Sequence, residues 1–256
     1  MPNCSDVLST ECHKACPPED HWAIVRTRSL AAVLVLVAAL SGCASSTNAV
    51  VDSLRYAVQA DNSIDQIRLN PNFRYLKAVI QGRSALLVLG YIEADPQGPI
   101  EVWYSAKGEV VRIQNGRIAG AVGLTTEWRS VSLPKMPPWS TLARDNRVFQ
   151  WARVRDVMPG YRVGVKDNLV LRTTPPPAQS AIQGVSASDL TWFEETQALG
   201  DGPTATGEDV LPRSRYAVAI GTRGETVVYG EQCLAPKLCF TWQRWPAEDR
   251  DPKEAK

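Results

Sequence analysis

Glu101-Val102-Trp103-Tyr104-Ser105-Ala106-Lys107-Gly108-Glu109-Val110-Val111-Arg112-Ile113-Gln114-Asn115-Gly116-Arg117-Ile118-Ala119-Gly120-Ala121-Val122-Gly123-Leu124 decides the fold of this chain. Three runs rich in β-branched and apolar residues, 101–105, 109–114 and 117–124, are separated by two short turns. The first turn, Ala106-Lys107-Gly108, ends in glycine. The second, Asn115-Gly116, is the strongest short hairpin signal, because both residues tolerate positive φ and so match the twist of the strands they join. Strands joined this tightly pair antiparallel, since a parallel neighbour needs a crossover of about a dozen residues or more. The stretch reads as a meander.

The pattern extends in both directions. Upstream, Tyr75 to Ile80 and Ala85 to Ile92 flank the turn Gln81-Gly82-Arg83-Ser84, and Asp95 to Pro99 turns the chain toward residue 101. Downstream, residues 132–147 with Pro134, Pro137 and Pro138 read as a long loop. Val148 to Arg155 alternates with period two, placing Phe149, Trp151, Arg153 and Arg155 on one side. Tyr161 to Lys166 and Leu169 to Thr173 flank Asp167-Asn168, which predicts a further hairpin. After the extended connector Pro175-Pro176-Pro177 come strands at Thr191 to Gln197, Tyr216 to Ile220, Thr226 to Glu231 and Phe240 to Arg244, with a polar loop from Gly200 to Gly207. No period of 20–50 residues repeats, which argues against propellers and solenoids. The fold class is all-β: an antiparallel meander closing into a barrel-like or sandwich domain, with both closures open at this point. Residues 50–246 form the single β domain. It opens with a short helix from Val50 to Ala60, carrying Val51, Leu54 and Val58 on its apolar side, and is followed by a flexible tail at 247–256.

The N-terminal side carries an address. Arg26 and Arg28 precede an apolar run from Leu30 to Leu40, closed by Leu40-Ser41-Gly42-Cys43. The run fits the roughly 7–15 residues of a cleavable signal and falls short of the roughly 20 needed to span a bilayer. A small residue before a cysteine is the lipobox arrangement, so Cys43 is the expected lipidation site, carrying diacylglyceryl and a further acyl chain such as palmitate. Several chains together anchor stably where one does not. Residues 1–42 are then a signal peptide with an over-extended start, initiation near Val25 being expected, and 43–49 a lipidated tether. Ala44, not Asp, follows the cysteine, which predicts an outer-membrane lipoprotein on the periplasmic face.

Composition removes several function classes. A net charge of +1, from 28 Lys+Arg against 27 Asp+Glu, predicts no broad attraction to nucleic acid. Both histidines, His13 and His21, precede Cys43, so the anchored form has no Ser-His-Asp or Cys-His catalysis and no histidine-ligated metal. Cys4, Cys12, His13 and Cys16 lack paired ligand spacing. No phosphate loop, zinc motif or nucleophile elbow appears, and no cofactor or metal is expected. Cys233 and Cys239, enclosing five residues and lying in an oxidising compartment, predict a disulfide rather than a redox pair. Glu194-Glu195 would point to opposite faces of a strand and so form no acid/base pair; solvated edge charge is the expected role. Among the tryptophans, Trp103, Trp151 and Trp192 are the candidates for stacking on a sugar ring. The enzymatic alternative is a polysaccharide or peptidoglycan hydrolase using carboxylates such as Asp65, Glu93 or Glu127, which would have to converge within about 5–10 Å.

A family resemblance rests on named residues. Ala85 to Tyr91, Trp103 to Val110, Asn115-Gly116-Arg117-Ile118 and Gly123-Leu124 resemble the core block of the YjbF/GfcB lipoproteins. Asp65-Gln66-Ile67 with Asn70-Pro71 resembles that family's opening segment, Tyr161-Arg162-Val163-Gly164 its middle signature, and Gly221 to Gly224, Gln232 and Pro236 its closing pattern. The chain departs at Tyr216-Ala217, where the family carries Tyr-Trp, and in its two C-terminal cysteines. The resemblance implies an antiparallel barrel-like fold and no enzymatic activity. It also implies a role in assembling or exporting capsule or exopolysaccharide, with two partners: a polysaccharide-export β-barrel of the outer membrane and a periplasmic β-grasp protein.

Overall fold

The apolar runs flanking the Asn115-Gly116 turn become strands in the computed structural model of the 256-residue chain, which describes residues 64, 67–198, 210–222 and 224–247. The expected signal segment, Cys43 and its tether, the helix over 50–60, Asp65, the 200–207 loop and the tail beyond 247 lie outside the described residues. The strands in order are β1 Tyr75–Ile80, β2 Arg83–Glu93, β3 Ile100–Ser105, β4 Val110–Gln114, β5 Arg117–Val122 and β6 Glu127–Ser132. They continue as β7 Phe149–Met158, β8 Arg162–Thr174, β9 Thr191–Gln197, β10 Ser214–Gly221, β11 Gly224–Ala235 and β12 Leu238–Trp245. Among the described residues one α-helix, α1 at Trp139–Asp145, lies between β6 and β7.

Each strand pairs antiparallel with its sequence neighbour, and β1 pairs with both β2 and β12, so the meander closes into a ring. Turn chemistry holds the register where it was expected. Asn115 and Gly116 take φ of 49° and 80°, the double left-handed step of a two-residue hairpin turn. Gly116 is fixed a second way, because a Cβ there would stand 2.5 Å from Val227 Cγ2 on β11.

Three sequence expectations need correction. Asp167-Asn168 is not a turn: β8 runs unbroken through it, and the hairpin lies earlier, at Gly160 and Tyr161 with φ of 99° and 52°. The aspartate tolerates a strand interior because Arg153 and Arg155 of the paired β7 consume its carboxylate. The expected loop at 132–147 contains α1, and β6 was not expected at all. Its run Glu-Trp-Arg-Ser-Val-Ser buries one side chain, Trp128, too little alternation to register as a strand.

A circular ring of this size would leave a lumen that side chains cannot fill, since about eight strands already suffice for a packed interior. This ring is instead pressed together. β5 and β11 stand six places apart in it, yet Gln232 of β11 accepts the Ile118 N–H at 3.0 Å and donates to the Gly116 carbonyl at 3.2 Å. The Trp128 indole likewise donates to the Leu234 carbonyl at 3.0 Å. Facing walls therefore touch as the two sheets of a sandwich do, while every described strand stays paired on both sides. Trp103, Trp128, Trp139, Trp242, Phe193 and Tyr216 fill the space between. Two smaller clusters cover the outside: Ile182 and Val185 over Trp192 and Tyr229, and Ile64, Ile67 and Phe73 over Tyr75, Leu86 and Val88.

Candidate binding cleft

In an antiparallel meander, odd strands start at one end of the ring and even strands finish there. That end carries the starts of β1 and β3, the Asn115-Gly116 turn, the β10–β11 turn and the end of β12. A cleft of about 1030 Å³ opens among them, at the upper limit of the roughly 300–1,000 Å³ usual for small-ligand sites. Its centre is Glu101 of β3. Arg74 Nη2 donates to Glu101 Oε1 at 3.0 Å, and Arg244 Nη2 donates to both carboxylate oxygens at 3.0 Å each. Arg244 Nε is tied to the Val227 carbonyl at 3.0 Å, which leaves Arg74 the more exposed of the two guanidiniums. Trp103 lines the floor, and its indole N–H has no hydrogen-bond partner. Trp245 stands at the lip, with Lys77 Nζ 4.7 Å from its ring centroid.

Two residues of the cleft wall, Glu225 and Asn115, are bonded to α1. Glu225, on the β10–β11 side, accepts the backbone N–H groups of Trp139 and Ser140 at 2.7 Å each, placing a negative charge on the orphan donors that begin a helix. Trp139 then reaches into the ring, its indole N–H bonded to Asn115 Oδ1 at 2.9 Å and its rings 4.8 Å from Phe193.

Below it lie two buried ion clusters. Asp167 accepts from Arg153 Nε at 2.6 Å, Arg155 Nε at 2.7 Å, Arg155 Nη2 at 3.0 Å and Gln197 Nε2 at 3.1 Å. Burial opposes its ionisation, but the Arg155 hydrogen bonds and the charges of both arginines outweigh that and hold the carboxyl below its ordinary range. In the second cluster Arg117 Nε donates to Glu195 Oε2 at 3.2 Å, and the Tyr216 hydroxyl donates to Glu195 Oε1 at 3.1 Å. Burial first, and then the Glu195 charge, push the Tyr216 phenol well above its usual range.

The expected site residues fall unevenly. Cys233 and Cys239 are joined as a disulfide across the β11–β12 pair. Cys43 and Asp65 lie outside the described residues. Trp103, Trp151 and Trp192 are 0%, 8% and 1% exposed, so none offers a face for stacking at the surface. Each sits at a strand position that closure turns inward or that a loop covers. Glu194 and Glu195 do point to opposite faces, but neither is solvated: Glu195 meets Arg117 inside, and Glu194 is ringed by Arg172 and Arg213 outside. Glu93 ends β2 at the cleft end and is bonded to Arg112, while Glu127 begins β6 at the opposite end and is bonded to Arg129 and the Gly123 N–H. The two acids do not converge. The cleft residues Arg74, Glu101 and Arg244 went unremarked in the sequence. The available signal was position, since charged residues at strand ends that meet through β12–β1 and β2–β3 pairing gather at one rim. Among the described residues no group of three or more His, Cys, Asp or Glu could hold a metal ion.

Comparison with known proteins gives a family match. The family model described as group 4 capsule polysaccharide lipoprotein gfcB, YjbF matches residues 46–196, more than half of the chain. No curated protein matches. Among solved structures, the hypothetical lipoprotein YmcC from Escherichia coli (K12) is 17% identical with a TM-score of 0.48, over 76% of this chain and 94% of that one.

Proposed function

We propose, for a chain that belongs to the group 4 capsule polysaccharide lipoprotein family (GfcB, YjbF), a holding role in place of a chemical one. The protein is a lipid-anchored, non-catalytic accessory factor on the periplasmic face of the outer membrane, and it contacts capsule or exopolysaccharide during assembly or export. The observation that carries this reading is the cleft at one end of a ring otherwise packed solid. It presents hydrogen-bonding guanidinium and carboxylate groups beside an aromatic lip, the mixture that hydroxyl-rich rings with apolar faces require. The filled interior favours contact over conduction. Chemistry is disfavoured by the state of the acids. Glu101 and Glu225 are engaged by arginines or by backbone N–H groups, and Glu93 and Glu127 stand at opposite ends. The export β-barrel and the β-grasp protein are the partners this reading calls for.

The test is genetic and biochemical together. A strain lacking the gene should lose surface polysaccharide and regain it with the wild-type gene. Full-length protein in detergent should bind that strain's purified polysaccharide by titration calorimetry, with Arg74→Ala weakening binding at least about tenfold. Undiminished polysaccharide in the deletion strain would overturn the pathway. Normal polysaccharide binding by Arg74→Ala would overturn the cleft.

A further inference from the structure

Tyr161 and Val163 are the most exposed large apolar side chains among the described residues, at 83% and 71%, and they stand together at the tip of the β7–β8 hairpin. Nothing in the turn asks for them. Gly160 and Tyr161 both take left-handed φ, a conformation that Gly, Asn or Asp adopts at low cost and a bulky side chain does not. The tip is also braced. Two steps of β7, from Arg155 to Val157, face three of β8, from Arg162 to Val165, so β8 bulges at Gly164, whose N–H donates to Asp156 Oδ1 at 2.8 Å. An aromatic ring held out in water by a strained, fixed backbone calls for a surface that receives it. Beside the ring, apolar surface continues into an open hollow of about 630 Å³ lined by Leu124, Met158 and Pro159, with Arg129 on its wall.

The tether and the charges name that surface. The family is one of lipoproteins, and Ile64, the first described residue, comes 21 positions after Cys43. Even fully extended, that length spans at most about 75 Å. It keeps the domain near a bilayer without choosing which end of the ring faces it. Side-chain chemistry makes the choice, since tyrosine seats at a membrane interface with its ring in the apolar layer and its hydroxyl in the wet one. The exposed cations near the tip, Arg129 and Lys166, suit phosphate headgroups, while the neighbouring acids are engaged: Glu127 by Arg129 and the Gly123 N–H, Asp156 by the Gly164 N–H. We propose that this tip seats in the headgroup layer of the phospholipid leaflet that bears the lipid anchor, with Tyr161 and Val163 entering it. The inference rests on the anchored reading and not on the polysaccharide cleft. Because hairpin and cleft lie at opposite ends of the ring, it turns the cleft away from the membrane.

The test uses full-length lipoprotein in vesicles of phosphatidylethanolamine and phosphatidylglycerol carrying brominated phosphatidylcholine. Flotation with the vesicles reports the anchor. Tyr161→Trp places a fluorophore at the tip, and Gln97→Trp places one in the exposed turn before β3, at the cleft end. The emission added at 161 should be lost to brominated lipid and shielded from acrylamide, and that added at 97 should show the reverse. Failure to float would remove the anchor and the proposal with it. Flotation with equal brominated-lipid quenching at both positions, or with a tip open to acrylamide, would overturn the tip alone. So would a tip shielded from acrylamide yet untouched by brominated lipid, the result a protein partner or a second copy would give.

Discussion

The two ion clusters inside the ring are buried alike and satisfied unalike. Asp167 receives four hydrogen bonds from Arg153, Arg155 and Gln197, so the carboxylate ties β7, β8 and β9 together at one point. Arg117, equally buried, reaches β9 through one bond to Glu195 and is otherwise surrounded by rings. An acid shared between two bases is a cross-link whose loss strands two charges. A base with unanswered donors ties fewer strands together.

The largest effect should follow from emptying the satisfied cluster. Asp167→Asn removes the carboxylate that Arg153 and Arg155 share, and removing one partner of a buried pair costs about 3–5 kcal/mol. Urea unfolding of the full-length protein should register it as a lower midpoint with an unchanged slope. A loss below about 1 kcal/mol, the range of exposed ion pairs, would erase the contrast between the clusters. Acid provides the same test in the wild type. Because the folded Asp167 carboxyl titrates below its ordinary value, its contribution is complete above the unfolded pKa near 3.8 and disappears as the pH falls through the lower folded value. Asp167→Asn should flatten that acid limb.

These clusters also mark where sequence reading succeeds. The meander was legible because Gln81-Gly82 and Asn115-Gly116 state their turns locally and the runs between them alternate. The period-two split of β7 even placed Trp151, Arg153 and Arg155 on one side. That this side faces inward was not legible, since two arginines on a strand ordinarily mean solvent. Only closure of the ring, bringing β7 beside β8, supplies the Asp167 that makes them interior. Asp167-Asn168 failed for the same reason, as turn-forming residues were recruited to a buried ion cluster. The cleft was illegible because Arg74, Glu101 and Arg244 span 170 positions of sequence and meet only when β1 joins both β2 and β12.

An intermediate effect is expected in alkali, confined to the second cluster. The Tyr216 phenol is held above its ordinary value of 10 by burial and by Glu195. Its folded pKa being raised, the stabilisation is complete below pH 10 and is lost as the pH climbs toward the folded value, at about 1.4 kcal/mol per pH unit for one such group. Tyr216→Phe should reduce the steepness of stability against pH between 10 and 11 by roughly that amount per unit, measured by urea unfolding at each pH. Asp167→Asn should leave this alkaline limb unchanged. Equal alkaline slopes in wild type and Tyr216→Phe would mean that Tyr216 is not the group responsible.

The smallest effect, and the sharpest comparison, comes from removing the Arg117–Glu195 pair whole. Arg117→Met alone leaves the Glu195 carboxylate buried with only the Tyr216 hydroxyl, and should cost several kcal/mol, as broken buried pairs do. Adding Glu195→Gln neutralises that carboxylate while keeping an acceptor for the hydroxyl. Replacement of a buried ion pair by uncharged groups of similar size is often neutral. The double variant should therefore lie within about 1 kcal/mol of the wild type, with a coupling energy of at least about 2 kcal/mol between the sites. If the two single losses simply add, Arg117 and Glu195 are independent groups, and the distinction from Asp167 rests on donor geometry alone.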